Sequence, residues 1–532
     1  MKRNIAILAL LALCVSAGAQ SKSFKLGKWT EIQNAIIKEL NRSYVDSLEV
    51  DRIERAGVNA MLGSLDPYTV YIPEEEQESL EMMISSTYGG IGAVIYKPDT
   101  DGNVIINEPY EGSPAAKNGL QCGDEIMAID GVSVKGLTSS QASDRMRGEA
   151  GTKVVFTVKK LRTQAVEDIT IVREKIHIPD VQYAEMLDKE NGYILLSGFS
   201  EGVAKEIRNE VVRLKKEGMK KLYLDLRGNG GGLLGEAVDI VSIFVPKGTL
   251  VVTAKGKDRT SNYEARTSKD PVDTKIPVVV LIDSGSASAS EIVSGALQDL
   301  DRATIMGSRS YGKGLVQSIR DLPYGGQLKV TTAKYYTPSG RCVQAIDYSN
   351  RNEDGSVGHI PDSLTHEFKT AGGRIVRDGG GITPDIELKQ HDYSRLIYSL
   401  VAYGVIEQYA IEFVRKHESI PAVKDFHFTD ADYEDFIEYA KGKEFDYRST
   451  ARAYFDQVRT ELKRDGLEET MTAELDALSK SLDMDKETFL RLKKDEIIPF
   501  IEEDIVVRYY YQKAGIEIEL RYDDQLKEAL TK

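Results

Sequence analysis

The stretch IPVVVLIDSGSASASEIVSGALQDL (276–300) joins a continuous apolar run to an amphipathic segment through a turn of small residues. The apolar run is typical of a strand buried on both faces, as the strands of α/β sheets are. Within the turn, Ser288 and Glu291 fit the capping box [ST]-x-x-[DE], which predicts a helix that begins next to Ser288. The other serines of the turn, Ser284, Ser286 and Ser290, have no acidic residue three positions further on. The stretch therefore predicts a strand, a tight turn and a helix.

The same alternation of strands and helices continues on both sides of this stretch. Helices are predicted near 201–216, 234–244 and 290–300. The other apolar strands are YILLSGF, KKLYLDLRG, RATIMGS and LKVTTAKYYT. At 532 residues the chain is too long for one hydrophobic core. We therefore predict a multidomain protein whose α/β core occupies residues 164–389.

Residues 85–163 have a different sequence pattern, in which short strands alternate with glycine turns. This pattern predicts a small α+β domain. Two motifs stand out, YGGIGA (88–93) and GDEIMAIDG (123–131). Their order resembles that of a PDZ domain. In such domains glycines let successive backbone N–H groups converge on the C-terminal carboxylate of a peptide. The resemblance places this peptide-binding loop at Gly90, Ile91, Gly92 and Ala93. The alternative is a tight hairpin without a ligand.

The N-terminus MKRNIAILALLALCVSAGAQ (1–20) has the three parts of an export signal. Lys2 and Arg3 precede an apolar run, and Ala17-Gly18-Ala19 offers a cleavage site of small residues. Lipid attachment at Cys14 is disfavoured because a bulky leucine precedes that cysteine. We therefore predict a signal peptide at residues 1–19 and an exported protein, which is periplasmic if its source is Gram-negative.

The remaining terminal regions, residues 20–84 and 390–532, are predicted to be helical. In the first, Thr30-x-x-Gln33 fits a capping box and predicts a helix start near Trp29. The second is charge-rich, with amphipathic segments near 396–414 and 486–511, and we interpret it as a cover for the core or an oligomer contact. Self-association through these helical regions and peripheral membrane association are further hypotheses.

Charge and composition exclude several functional classes. The chain carries 84 acidic and 69 basic residues, for a formal net charge of -15. Such a protein repels phosphate backbones, and no basic stripe is present, so nucleic acid is excluded as a partner. Removal of the signal peptide leaves Cys122 and Cys342, and the histidines are scattered without metal-ligand spacing. We predict neither a metal site nor a cofactor.

Ser288 is most simply a helix cap, but its predicted position also suits a nucleophile. A strand that runs directly into a helix places the turn at the carboxyl end of the sheet, where α/β enzymes have their sites. The free N–H groups of the helix also suit a developing oxyanion. No histidine has a triad context, so the candidate base is Lys313 in YGKGLVQ (311–317), provided that burial lowers its pKa. Ser310 forms a literal SxxK with Lys313 and is a rival, although Gly312 favours a loop there.

Four motifs together resemble the carboxyl-terminal processing peptidases of family S41. These motifs are SASASEI (286–292), YGKGLVQ (311–317), YYTPSGR (335–341) and GGGITPDI (379–386). The resemblance implies a ClpP/crotonase-like α/β core, an N-terminal helical unit and an inserted PDZ domain. The activity that it implies is that of a serine endopeptidase that captures protein or peptide substrates through their C-termini.

The resemblance also assigns roles to individual residues. Ser288 would be the nucleophile, Lys313 the general base, and Gln317 the residue that orients the lysine. The oxyanion hole would combine the N–H of Ala289 with a glycine N–H from the loop DLRGNGGG (225–232). Whether Gly231 or Gly232 is the donor stays open.

Two other functions stay open beside the peptidase. One is a catalytically silent PDZ scaffold, or a protein that binds an apolar ligand on the same core. A pure binder does not need Ser288, Lys313 and Gln317 together, which argues against this function. The other is a crotonase-like acyl-CoA enzyme, which the export signal and the PDZ motifs disfavour.

Overall fold

The computed structural model describes residues 22–97, 101–351, 356–389 and 391–532. The predicted signal peptide lies outside these residues. The chain divides into two compact units, one comprising Glu75–Val316 with Thr332–Lys532, the other the residues up to Glu74 with Gln317–Thr331. Over the described ranges, none of the helices combines the length and the apolar character that crossing a membrane requires.

The smaller unit begins with two helices and a short strand: α1 (Lys22–Ser43), α2 (Val50–Gly63) and β1 (Val70–Ile72). The predicted helix start near Trp29 is wrong. Helix α1 already includes Lys22, and the Thr30 hydroxyl donates to the Leu26 carbonyl inside the helix, at 3.0 Å. Strand β1 pairs antiparallel with residues 327–329.

The larger unit opens with a small α+β domain. Its elements are α3 (Gln77–Ser85), β2 (Thr87–Gly90), β3 (Ala93–Tyr96), β4 (Val104–Pro109), α4 (Pro114–Lys117), β5 (Glu125–Ile129), β6 (Val132–Ser133), α5 (Ser139–Met146), β7 (Lys153–Lys159), β8 (Val166–Val172) and β9 (Glu174–His177). The main sheet has the order β3-β4-β5-β7-β8, with β6 paired to β5. Strand β3 is therefore an edge strand of this sheet, and edge strands can pair with an added peptide.

The α/β core follows. Its elements are β10 (Val181–Met186), β11 (Asn191–Leu196), α6 (Val203–Glu217), β12 (Lys221–Asp225), α7 (Leu234–Val241), β13 (Leu250–Gly256), β14 (Tyr263–Arg266), β15 (Val278–Ile282), α8 (Ala289–Asp299), β16 (Thr304–Gly307), β17 (Leu315–Asp321), β18 (Gln327–Tyr336), β19 (Ile346–Arg351), β20 (Val357–His359), β21 (Glu367–Lys369), β22 (Ile375–Arg377) and β23 (Ile386–Glu387). The central sheet has the order β10-β11-β12-β15-β16-β23. All of its neighbouring pairs are parallel except β10 and β11.

The two faces of this central sheet bury different side chains, because successive residues of a strand point to opposite faces. On one face, Leu224 and Val280 belong to the main hydrophobic core, which includes residues of α6, α7 and α8. On the other face, Tyr223 and Leu281 pack against Leu526, near the end of the chain. Burial on both faces is the reason that these strands are continuously apolar in the sequence.

Within the described residues from Arg395 onward, the C-terminal region contains helices joined by loops and no strands. Its helices are α9 (Arg395–Ala402), α10 (Val405–Lys416), α11 (Asp430–Lys441), α12 (Thr450–Arg464), α13 (Thr472–Leu482), α14 (Lys486–Leu492), α15 (Lys494–Tyr522) and α16 (Asp524–Thr531). Helix α15 is interrupted at Tyr511, whose φ of 66° and ψ of 178° are not helical. Together the three regions confirm the predicted multidomain α/β class.

Candidate active site

Ser288 lies at the junction of β15 and α8, as the N-cap residue of that helix. The predicted helix start is therefore confirmed. The backbone of Ser288 has a φ of 56° and a ψ of -111°, a conformation that residues other than glycine rarely adopt. Such strain persists only where the surrounding contacts enforce it, and it is frequent at functional sites. The sharp turn places the serine at the carboxyl end of the parallel sheet.

The neighbouring serines bind the glycine-rich loop 225–232. The Ser286 hydroxyl donates to the Leu226 carbonyl at 2.7 Å, and the Ser290 hydroxyl donates to the Asn229 carbonyl at 2.9 Å. Both serines are fully buried, whereas Ser288 between them is partly exposed. The alternation of serines therefore has a structural reason, because two of them attach the loop to the turn on either side of Ser288.

Gly231 approaches the Ser288 turn most closely. A Cβ added to it would lie 2.8 Å from the Ser288 Cβ and 2.9 Å from the Ala289 nitrogen. Its φ of 100° also favours glycine. Its N–H donates to the Asn229 Oδ1 at 2.9 Å. Gly232 instead lies against Phe199, where an added Cβ would be 2.6 Å from the Phe199 carbonyl oxygen.

Ala289 is the first residue of α8, and the first N–H groups of a helix have no acceptor within the helix. Its N–H is therefore placed to bind an acceptor outside the helix, beside the close approach of Gly231. The arrangement combines a helix N-terminus with a glycine backbone around one serine side chain. The Ala289 N–H in such a position can stabilise an oxyanion, whereas the Gly231 N–H is bonded to the Asn229 side chain.

Glu291 connects the Ser288 turn to the segment that carries Lys313. One carboxylate oxygen accepts the N–H groups of Ser288 (2.9 Å) and Lys313 (2.8 Å). The other accepts the hydroxyl of Ser310 (2.6 Å) and the N–H of Gly312 (2.7 Å). The side chain is fully buried. Burial raises the pKa of this carboxyl, and the four donors act in the opposite direction by stabilising the charged form.

Lys313 is partly buried between two glycines. A Cβ on Gly312 would lie 2.3 Å from the Ala345 Cβ, and one on Gly314 would lie 2.8 Å from the Gln344 nitrogen. The glycines therefore allow the close backbone approach that the sequence predicts. Gln317 belongs to the smaller compact unit, where its amide donates to the Thr331 hydroxyl at 3.2 Å. Its orienting role stays a prediction.

The start of the glycine-rich loop is held by a charged cluster. Asp225 is buried and accepts the Tyr193 hydroxyl at 2.7 Å and the Arg227 Nε at 2.9 Å. The Arg227 guanidinium also donates to Asp523 at 2.6 Å and to Gln525 at 3.0 Å. Residues of the C-terminal helices therefore contact the loop that approaches Ser288.

The predicted peptide-binding loop lines a groove of 200 Å³ in the α+β domain. Ile91 and Ala93 line it, as do the side chains of Tyr88 and Arg147, and Gly92 has a φ of 73°. The Tyr88 ring lies over Gly90, where an added Cβ would be 2.5 Å from the ring, and the Arg147 guanidinium lies 5.3 Å from the ring centre. Burial raises the pKa of the Tyr88 phenol to about 12. The groove is thus lined mainly by apolar side chains, with Tyr88, Tyr110, Ser143 and Arg147 as its polar members.

Several residues of these sites were missed at the level of sequence. Glu291 carried a capping-box signal, which indicated the helix start but not the bonds to Gly312 and Lys313. Tyr88 and Arg147 are ordinary residues of their segments. Asp523 carried no local signal, because its contact with Arg227 joins residues 296 positions apart.

Three family models match the chain, in the order of the regions described above. The model "PDZ domain" matches residues 105–160, "Peptidase family S41" matches 190–349, and "Probable PDZ-protease, C-terminal helical domain" matches 396–531. The S41 match includes the glycine-rich loop, the Ser288 turn and the Lys313 segment. The third match assigns the helical extension to a described type of domain, which the sequence motifs alone had not indicated.

Individual proteins show the same similarity. A "Probable CtpA-like serine protease" of Staphylococcus aureus is 36% identical over 319 residues, which are 59% of this chain and 62% of the relative. A solved structure titled "Photosystem II D1 C-terminal processing protease" is 26% identical, covers 66% of this chain and 91% of its own, and has a TM-score of 0.36. A "Carboxy-terminal-processing protease" of Bartonella bacilliformis is 35% identical over 348 residues, 64% of this chain and 78% of the relative. The chain belongs to peptidase family S41, together with these carboxy-terminal-processing protease homologues.

Proposed function

We propose that this protein is an exported serine endopeptidase that cleaves other proteins near their C-termini. The observation that carries the proposal is the Glu291 carboxylate, which binds the backbone of both Ser288 and Lys313. This contact fixes the nucleophile segment and the base segment to one buried side chain. The S41 family membership supports the same reaction class.

In the proposed reaction, a neutral Lys313 amine takes the proton from the Ser288 hydroxyl as its oxygen attacks the scissile carbonyl carbon. The Ala289 N–H and a glycine N–H from the loop stabilise the oxyanion that forms. The C–N bond then breaks, and the leaving amine takes the proton from Lys313. A water molecule then gives a proton to Lys313 as its oxygen attacks the acyl ester. The ester C–O bond breaks, the Ser288 oxygen takes the proton back from Lys313, and the acid product leaves.

The PDZ domain is proposed to capture the substrate by its C-terminus. Strand β3 lies at the edge of its sheet, where an extended peptide can add as a further strand, and the mainly apolar groove suits an apolar final residue.

Covalent labelling tests the catalytic assignment without knowledge of the natural substrate. A fluorophosphonate reacts with activated serines, and we expect peptide mapping of residues 20–532 to locate the adduct on Ser288. Lys313→Ala should abolish the labelling with the fold intact, as measured by circular dichroism. An adduct on Ser286, Ser290 or Ser310, or equal labelling of the lysine variant, would refute the assignment.

A matched pair of substrates tests C-terminal capture. We expect a loosely folded protein with an apolar C-terminal tail to be cleaved faster than the same protein whose terminal carboxylate is amidated. Equal rates for the two would exclude recognition of the carboxylate. Binding of the tail by a protein that neither cleaves nor reacts with the fluorophosphonate would instead favour the silent scaffold.

Export is tested by the mature N-terminus. We expect protein recovered from an extracytoplasmic fraction to begin after Ala19. Recovery of the chain with Met1 retained, in the cytoplasm alone, would contradict this part of the proposal.

A further inference from the structure

The backbone carbonyl of Ser288 accepts hydrogen bonds from inside and from outside helix α8. The Ile292 N–H donates to this oxygen at 2.9 Å, as the first turn of the helix requires. The Tyr335 hydroxyl donates to the same oxygen at 3.2 Å. Tyr335 lies on β18 and is only 1% exposed. A carbonyl oxygen has two lone pairs, so these two bonds can hold it in both acceptor directions.

The position of this carbonyl sets the direction of the expected oxyanion donor. A peptide group is planar and trans, so its C=O and N–H bonds point in opposite directions. The peptide group that begins with the Ser288 carbonyl ends with the Ala289 N–H. Its orientation depends on the ψ of Ser288, which is -111° in the strained conformation described above. A contact that holds the carbonyl therefore helps to enforce the strain and also holds the Ala289 N–H.

Tyr335 is itself fixed by its backbone and by its ring. Its N–H donates to the Gly314 carbonyl at 3.0 Å, and its strand pairs with β13. Its ring belongs to the main hydrophobic core. Because Gly314 directly follows Lys313, Tyr335 contacts both the base segment and the nucleophile segment. The phenol is thus supported from the side of the core that faces Ser288.

The Tyr335 phenol also has the right chemistry for a permanent donor. Burial raises its pKa well above the ordinary value of 10, and the negative charge of Glu291 acts in the same direction. The hydroxyl therefore keeps its proton at neutral pH. A donor bound to the oxygen of a peptide group polarises that group and strengthens its N–H as a donor.

We propose that Tyr335 is a positioning residue for the oxyanion hole, whose hydroxyl orients and polarises the Ser288–Ala289 peptide group so that the Ala289 N–H points at the oxyanion. Tyr335 acts through this backbone and transfers no proton. Glu291 holds the N–H of Ser288 and Tyr335 holds its carbonyl, so the two side chains fix the nucleophile residue from both sides. This role rests on the proposed peptidase function.

Steady-state kinetics of Tyr335→Phe test the role. Phenylalanine keeps the buried ring and removes only the hydroxyl, so the Ser288 carbonyl loses one donor. Outright removal of an oxyanion donor lowers kcat by about a hundredfold to a thousandfold. Because the Ala289 N–H is retained and is only less well oriented, we expect kcat to fall by about tenfold, with KM nearly unchanged. The substrate is the loosely folded protein with an apolar C-terminal tail.

The matched control is Tyr433→Phe in helix α11. The Tyr433 hydroxyl donates to the Leu490 carbonyl at 2.7 Å, and Tyr433 is also 1% exposed. Each variant therefore removes one buried hydroxyl from one backbone carbonyl, and we expect similar losses of stability in urea unfolding. Tyr433→Phe should keep the kcat of the wild type. If the two variants have the same kcat, the positioning role is wrong.

Nuclear magnetic resonance tests the contact without any need for activity. Labels of ¹³C on serine carbonyls and ¹⁵N on alanine select Ser–Ala peptide groups, and residues 20–532 contain two, Ser286–Ala287 and Ser288–Ala289. Ala287→Gly deletes the first signal and so assigns both. A hydrogen-bond donor deshields the carbonyl carbon, so Tyr335→Phe should shift the Ser288 signal upfield and leave the Ser286 signal in place. Tyr433→Phe should shift neither.

The outcomes separate this inference from the proposed function. If the wild type cleaves substrate while Tyr335→Phe matches Tyr433→Phe in kcat, the positioning role is wrong and the peptidase stands. A Ser288 signal that does not move in Tyr335→Phe also overturns the role, even if kcat falls. If the wild type does not cleave, the peptidase is wrong and the role in its oxyanion hole falls with it. A fall in kcat alone, together with the upfield shift, supports both.

Discussion

The Glu291 carboxylate lies where the segments of Ser288 and Lys313 meet, and its four hydrogen bonds satisfy donors from both. A buried carboxylate is costly unless such donors surround it. In return, it fixes the separation of two segments that are distant in sequence. Glu291 therefore contributes to the site by positioning the segments of Ser288 and Lys313, and it does not need to contact the substrate.

The variant Glu291→Gln tests this role. The amide replaces one acceptor oxygen by a donor, so two of the four donors lose their partner. Each buried donor left without a partner costs about 1–3 kcal/mol, so we expect a loss of stability of about 3 kcal/mol in urea unfolding, with most of the kcat/KM lost. The control is Ser294→Ala on the same helix, whose hydroxyl donates to the Ser290 carbonyl at 2.7 Å. If Glu291→Gln were as stable and active as this control, the role assigned to Glu291 would be wrong.

Two neighbouring glycines give a second test at the scale of the residue. A Cβ on Gly231 would meet the Ala287 carbonyl oxygen at 2.7 Å, whereas a Cβ on Gly230 would have nothing within 4 Å. We expect Gly231→Ala to lower kcat/KM by about a hundredfold, because small displacements of catalytic groups have effects of that size. Gly230→Ala should retain the wild-type rate. Equal activity of the two variants in a peptide-cleavage assay would show that the loop does not need its close approach to Ser288.

At the scale of the element, helix α15 carries two glutamates, one on either side of its break. Glu503 and Glu519 share a hydrogen bond and line the same cavity of 750 Å³. Burial, together with the charge of Glu519, raises the pKa of Glu503 to about 8. Glu519 is the more exposed of the two, so it is less desolvated than Glu503. One proton is therefore shared between the halves of the helix near neutral pH.

This pair predicts a pH dependence of stability. The pKa of Glu503 in the folded protein lies above the ordinary value of 4.5. Its contribution to the free energy of unfolding is therefore fully present below pH 4.5 and is lost as the pH rises toward 8. The free energy of unfolding of Glu503→Gln, measured relative to that of the wild type, should therefore increase from pH 5 to pH 8. Urea unfolding at both pH values measures the difference, with the exposed Glu444→Gln as control. A difference between wild type and Glu503→Gln that does not change with pH would contradict the prediction.

The elements also show which structural features local sequence can predict. Strand β15, the Ser288 turn and helix α8 were predictable because an apolar run and a capping box lie within one short stretch. The break in α15 was not, because a tyrosine with positive φ has no sequence signature and the Gln512 N–H after it is bonded to Glu108 of another domain. The start of α1 was mispredicted for a related reason, since Thr30 hydrogen-bonds inside a helix as readily as at its beginning.

At the scale of the whole molecule, the C-terminal extension covers the second face of the core sheet. Its sequence was consistent with a cover or an oligomer contact. The packing of Leu526 and Ala529 against Tyr223 and Leu281 shows that helix α16 covers this face, and the oligomer contact stays a prediction. Periodicity alone could not settle this, because it indicates which face of a helix is apolar but not which surface that face meets. The motifs around Ser288 and Lys313, by contrast, are compact and were found directly from the sequence.

Leu526 tests the energetic importance of this cover. Its side chain is 2% exposed, so Leu526→Ala should lower the free energy of unfolding by about 3 kcal/mol, as buried leucine truncations do. Leu492→Ala, at a leucine that is 65% exposed, should have little effect in the same urea titration. Equal stability of the two variants would mean that the extension does not support the core.

The central claim is that Ser288 is the nucleophile of a peptidase that acts near protein C-termini. The most direct measurement uses residues 20–532 as wild type, Ser288→Ala and the exposed control Ser284→Ala, on a loosely folded protein with an apolar C-terminal tail. Mass spectrometry locates the cuts. We predict cleavage near the C-terminus by the wild type and by Ser284→Ala, and none by Ser288→Ala. Cleavage by Ser288→Ala at the wild-type rate, or no cleavage by any of the three proteins, would contradict the claim.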